Sequence, residues 1–251
     1  IYKIQKIYKN KKPNFHYGEF AEDIFINRVF KKLNSGFYID IGAYHPFKGS
    51  LTFLLFQKGW RGLNIDLSKD SIELFKMARP NDLNVNCAIT NFTGETHYYQ
   101  NSEINQQNSL IKRNNHQQEI KVNAFTLNDL LKKKNVTQCD YLNIDTEGNE
   151  IDILQSIKFD VIKPQLISVE DNSFDLHSEN KKKIINLMSE KNYQIINIIG
   201  VTMFFTKSSS VNKFFDLIFG RGHFENCIRP FKMDQKTCAN YSVQNLRYIP
   251  T

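Results

Sequence analysis

Residues 37–68 read FYIDIGAYHPFKGSLTFLLFQKGWRGLNIDLS. Phe37–Ile41 is a short β-like run that stops at Gly42. Ser50–Lys58 has helical spacing and ends at Gly59, and Gly62–Asp66 is a second β-like run. Strand, helix and strand within so short a span make a βαβ unit, whose two strands lie parallel. Outward from it the alternation continues. Ser68 caps a helix through Met77, and Leu83–Ile89 is a third strand. Thr126, with Asp129 three residues on, caps another helix. Tyr141–Asp145 and Gln165–Glu170 are the fourth and fifth strands, and Ser178–Lys191 is helical. Tyr193–Ile199 and Val201–Thr206 form a hairpin about Gly200, while Tyr17–Leu33 is an early helix stopped by Asn34-Ser35-Gly36. The pattern predicts an α/β fold: a mostly parallel seven-stranded sheet, helices on both faces, and an antiparallel hairpin at the close.

The expected organisation is an N-terminal arm and helix over 1–35, one domain over 36–207 and a tail over 208–251, with a short helix near Phe214–Phe219. Residues 95–125 read as a β-rich or irregular insertion, and the Asn/Gln-rich stretch 101–118 as a mobile loop. No apolar run approaches the roughly 18 residues of a membrane helix, and no signal-peptide pattern is visible. Cys87, Cys139, Cys227 and Cys238 form no CxxC pair, so reduced thiols and a cytoplasmic location are expected. The net charge of +7 comes from 33 basic and 26 acidic residues. The lysines fall in short runs suited to helix ends, which makes nucleic acid an unfavoured partner.

In an open parallel sheet, ligands sit beyond the carboxyl ends of the strands. Four of the five candidate parallel strands end in acid: Asp40-Ile41-Gly42, Asp66-Leu67-Ser68, Asp145-Thr146-Glu147 and Glu170-Asp171-Asn172. Carboxylates gathered there repel one another unless a ligand pairs with them. A phosphate-cradling loop needs GxGxxG, but Tyr44 stands where the second glycine belongs. This argues against a nicotinamide-dependent oxidoreductase. An acid before Gly42 suits a ligand amino group, and Asp66 suits a ribose diol. S-adenosylmethionine combines both. Asp145, Glu147, Glu170 and Asn172 are also hard oxygen ligands, but without a fixed spacing no metal is assigned. His45 follows the glycine turn and is a candidate base, with Asp145, Glu147 and Glu170 as the other catalytic candidates. His177 and His223 are weaker candidates for the cleft.

The segment 37–68, followed by ARPNDLNVNCAI, TLNDLL, DYLNIDTEGNEIDIL and PQLISVEDN, resembles the FkbM family of methyltransferases. The resemblance covers roughly residues 36 to 207. It implies a Rossmann-like class I methyltransferase fold and S-adenosylmethionine as donor. It further implies O-methylation of a sugar or sugar nucleotide in surface glycan biosynthesis. On that resemblance Asp40, Gly42 and Ala43 hold the methionine end and Asp66 the ribose. Ser68 follows Asp66 in the donor set, and Asn86 and Ala88 flank the adenine. The rival readings are a nicotinamide-dependent oxidoreductase and an RNA-binding protein or RNA methyltransferase.

Overall fold

The computed structural model describes residues 16–100, 108–112 and 118–212. The arm before residue 16, most of the 101–118 loop, the helix near Phe214–Phe219, Cys227, Cys238 and His223 lie outside them. In chain order the elements are α1 (Glu22–Val29), β1 (Phe37–Ile41), α2 (Phe53–Gln57), β2 (Arg61–Asp66), α3 (Lys69–Ala78), β3 (Leu83–Asn86), β4 (Ala88–Ile89) and β5 (Gly94–Gln100). There follow β6 (Gln118–Phe125), α4 (Leu127–Lys134), β7 (Tyr141–Ile144), α5 (Glu150–Ser156), β8 (Leu166–Glu170), α6 (Glu179–Glu190), β9 (Tyr193–Ile199) and β10 (Thr202–Lys207).

Seven strands form one sheet in the order β3-β2-β1-β7-β8-β10-β9. The first five are parallel. β10 slots antiparallel between β8 and β9, as the closing hairpin requires. The sequence reading of 83–89 as one strand needs correction. At Cys87 the chain leaves the large sheet, and Ala88–Ile89 instead pairs with β6 in a three-stranded sheet, β4-β6-β5. That small sheet is the insertion expected at 95–125. α2 is shorter than the expected Ser50–Lys58. Ser50 and Thr52 spend their hydroxyls on the buried Arg79 guanidinium, 2.9 Å from each, before the helix begins.

Strand alternation gives the large sheet two unlike faces. Ile39, Leu63, Leu142 and Ile167 share a continuous core with Leu130 of α4, Ile153 of α5 and Ile184 of α6. The opposite face carries Tyr38, whose ring packs over Gly62 in the neighbouring strand; a Cβ there would stand 2.1 Å from the ring. Phe30, the residue that follows α1, meets the rings of Trp60 and Tyr141 on this side. Helices therefore cover both faces.

The second face also holds a buried polar ladder. Ser168 Oγ donates to Asn143 Oδ1 at 2.6 Å, and Asn143 Nδ2 donates to Asp40 Oδ1 at 2.9 Å. Thr52 Oγ1 donates to Asp40 Oδ2 at 2.8 Å, and Arg79 donates to Thr52. Asp40, Asn143 and Ser168 sit opposite one another in register across β1, β7 and β8. The ladder satisfies polar groups whose isolated burial would cost free energy. It fixes the strands whose ends make the cleft described below. Among the described residues no helix is long and apolar enough to cross a membrane.

Candidate functional site

A cleft of about 290 Å³ opens beyond the carboxyl ends of β1, β2, β7 and β8, with Gly42, Asp66, Asp145 and Glu170 all in its wall. Its base is a close approach of two loops. Gly42 has φ +81°, and a Cβ there would lie 1.5 Å from the Asp145 carbonyl oxygen. Only glycine has the space and the backbone freedom for this turn. The Gly42 and Ala43 amides donate to the Ile65 carbonyl at 2.9 and 3.0 Å. Asp66 ties the loops together. Its Oδ2 accepts the Tyr44 amide at 2.8 Å and its Oδ1 the Ser68 amide at 2.7 Å. Burial, and after it the two hydrogen bonds and the nearby Asp40, leave the Asp66 pKa raised to about 6.

The lining is acidic. Glu19, Glu22, Asp40, Asp66, Asp145, Glu147 and Glu170 line the cleft, and no Lys, Arg or His does so among the described residues. This occurs in a chain whose net charge is +7. The consequences are visible in the protonation of the group. Burial pushes the Asp145 carboxyl well above the usual range, and Glu170, Glu147, Glu150 and Asp40 push it further. Burial, then Glu147, Glu19, Glu22 and Glu150, raises Glu170 to about 7. No hydrogen-bond donor among the described residues reaches either carboxylate, whereas Asn172 Nδ2 donates to Glu147 Oε2 at 2.7 Å. Glu147 itself has φ +61°, a strained conformation for a residue with a side chain. The turn is held by Glu150, whose Oε1 accepts from the Thr146 amide, the Thr146 hydroxyl and the Gly148 amide, each at 3.0 Å. Carboxylates held together in a poorly solvated wall favour a ligand bearing positive charge or many hydroxyls.

The structure thus gathers Asp40, Gly42, Ala43, Asp66, Ala88, Asp145, Glu147 and Glu170 around one cleft, and places three other expected residues elsewhere. His45 is outside the lining. Its Nδ1 accepts the Phe47 and Lys48 amides at 3.1 Å each, so the neutral ring carries its proton on Nε2. Burial first, then Lys48 and Arg79, lowers its pKa. In that form the lone pair of the ring faces the two loop amides. Ser68 is buried as the α3 cap, its Oγ accepting the Ser71 amide at 3.2 Å. Asn86 spends its amide on the Asp66 and Leu67 carbonyls at 3.0 and 2.6 Å. Asp40 lies against the cleft, but both of its oxygens are engaged in the ladder. His177 is exposed and away from the lining. Glu19, Phe20, Glu22, Asn108 and Leu110 line the cleft without any signal at the sequence level, because each comes from a segment remote from the strand ends. Among the described residues no group of three or more His, Cys, Asp or Glu side chains is arranged to hold a metal ion.

The role of His45 gives a direct expectation. His45→Asn keeps an acceptor near the two amides and should leave turnover within about threefold of wild type. His45→Ala loses two hydrogen bonds of about 1 kcal/mol each and should lower the melting temperature by about 4–8 °C. Thermal melts beside initial rates decide it. A hundredfold loss of rate in His45→Asn with unchanged melting would restore His45 as a base.

A parallel five-strand core closed by an antiparallel hairpin, with a cleft at the strand tips, is a Rossmann-like α/β architecture. More particularly, the Methyltransferase FkbM domain matches residues 40–195, and the chain belongs to that family. No curated protein matches the chain in a direct comparison.

Proposed function

We propose that this protein transfers a methyl group from S-adenosylmethionine to a hydroxyl of a carbohydrate, in the cytoplasm and in the service of surface glycan synthesis. The observation that carries the proposal is the cleft wall, rich in carboxylates and empty of basic side chains among its described residues. Such a wall repels the pyrophosphate of a nicotinamide dinucleotide and the backbone of RNA. It attracts a sulfonium and an α-amino group. Asp66 still has lone pairs for a ribose diol after accepting its two amides. Gly42 and Ala43 leave backbone close to the ligand, and Ala88 with Leu67 offers an apolar surface to a base.

The donor supplies an electrophilic methyl carbon, and the remaining task of the protein is to align and deprotonate a hydroxyl. Glu170 is the base in this reading, because it is unpaired among the described residues and its pKa lies near neutrality. Asp145 and Glu147 would accept hydrogen bonds from neighbouring hydroxyls of the acceptor. Phe20 lines the mouth of the cleft and packs edge-on to Phe174 at 5.8 Å, and both rings are exposed. Exposed aromatic faces beside carboxylates suit the alternating C–H and O–H faces of a sugar ring.

Calorimetric titration with S-adenosylhomocysteine tests the donor assignment. A single site and a raised melting temperature are expected. Asp66→Asn keeps the shape but loses charge and acceptor capacity, and should weaken binding roughly tenfold, the equivalent of about 1.4 kcal/mol. Absence of heat together with an unmoved melting temperature would refute the donor assignment. Mass spectrometry of a glycan pool incubated with enzyme and donor should show the gain of one methyl on oxygen.

A further inference from the structure

The insertion contributes a side chain to the cleft with no protein partner. Asn108 is 7% exposed and lines the cleft. Both of its amide atoms, Nδ2 and Oδ1, are buried without a hydrogen bond. Native proteins rarely leave both halves of a buried amide unmet, since each lost hydrogen bond is costly.

The backbone that carries this amide is anchored through its neighbours. Next to it, Ser109 bridges to Tyr99, its carbonyl accepting the Tyr99 amide at 2.9 Å and its amide donating to the Tyr99 carbonyl at 3.4 Å. Ser109 Oγ donates to the Glu147 carbonyl at 3.0 Å and accepts the Ile111 amide at 3.0 Å. Leu110 and Leu67 pack on the buried cluster of Ala88, Tyr98, Val122 and Ala124. The cleft wall on this side includes Leu67, Cys87, Ala88 and Leu110, which is an apolar surface for a flat ring.

We infer that Asn108, supplied by the inserted small sheet, reads the Watson–Crick or Hoogsteen edge of the donor's adenine. A primary amide presents a donor and an acceptor side by side, matching the 6-amino group and an adjacent ring nitrogen of adenine. The amide expected for this end of the cleft, Asn86, is already engaged with two backbone carbonyls. The inference rests on the donor reading given under Proposed function. It adds that base recognition comes from the insertion rather than from the strand tips. The Ser109 bond to Glu147 also links the base-reading segment to the acceptor loop.

The test compares two ligands by calorimetry: S-adenosylhomocysteine and its purine analogue lacking the 6-amino group. Wild-type protein should bind the adenine form roughly tenfold more tightly, since a buried acceptor is stranded by the analogue. Asn108→Ala and the similarly sized Asn108→Leu should each bind S-adenosylhomocysteine about tenfold more weakly and distinguish the two ligands by less than about threefold. The wild-type comparison stands even where a variant does not fold. Equal binding of the two ligands by wild-type protein overturns the inference, as do variants that keep full affinity and discrimination. A variant that raises only the KM of the acceptor also overturns it, by moving Asn108 to the other end of the cleft. No binding of either ligand to wild-type protein is a different failure, because the donor reading then falls first.

Discussion

Gly42→Ala is expected to abolish measurable donor binding, with a loss of at least about a hundredfold in affinity for S-adenosylhomocysteine, and to lower the melting temperature by about 4–20 °C. The magnitude follows from two effects at one atom. A Cβ at residue 42 would sit 1.5 Å from the Asp145 carbonyl oxygen, far inside van der Waals contact. The φ of +81° adds roughly 1–2 kcal/mol for a residue with a side chain. Relief of the clash must separate the β1 and β7 loops, and overpacking of this kind costs about 1–3 kcal/mol. For a chain of this size each kcal/mol moves the melting temperature by about 2–4 °C. The same separation opens the cleft between Ala43 and Asp145, so affinity falls further than stability does. Gly94→Ala is the control. A Cβ there meets only the Phe92 ring, at 3.9 Å, and the variant should bind and melt like wild type. Calorimetry and thermal melts on both variants decide the matter. A Gly42→Ala protein with wild-type affinity would show that the loops are not the donor site.

The sequence discloses the strand tips for a physical reason. Parallel strands buried on both faces are continuous apolar runs, so Phe37–Ile41, Arg61–Asp66, Tyr141–Ile144 and Leu166–Glu170 stand out from their surroundings. Topology then brings their carboxyl ends together, and acids at those ends must converge. The same rule hides other features. No breaker residue marks Cys87, and only the arrival of β6, about thirty residues later, draws Ala88–Ile89 out of the large sheet. The ladder through Asp40, Asn143 and Ser168 is invisible until register places these residues side by side. The neighbours of His45 in sequence suggest chemistry. The backbone amides of Phe47 and Lys48 decide which ring nitrogen remains available, and no spacing encodes that choice. Glu19 and Glu22 reach the cleft from α1 and the turn before it, and Asn108 from the insertion. Long-range packing alone determines their part in the site.

Glu170→Gln should lower turnover by about 10²–10³, within the span general-base groups contribute, and should remove a limb of the pH profile. The Glu170 carboxyl has its pKa raised from 4.5 to about 7. Only its ionised form accepts a proton. Wild-type kcat/KM should therefore rise about tenfold per pH unit below 7 and level off above it, whereas the Gln variant should be flat across that range. Stability must move the opposite way. Between pH 4.5 and 7 the folded state holds the Glu170 proton more tightly than the unfolded chain does. Unfolding therefore releases protons in that window, and stability falls as pH rises through it. Glu170→Gln removes this penalty. The variant should melt a few degrees above wild type at pH 8 and level with it at pH 4, while keeping its affinity for S-adenosylhomocysteine. A protein made slower yet more stable, with donor binding intact, has lost a group whose strained ionisation served the reaction. A purely structural Glu170 would instead yield a variant less stable at every pH. Retention of full activity and of the pH limb in Glu170→Gln would move the proton-accepting role to Asp145 or Glu147.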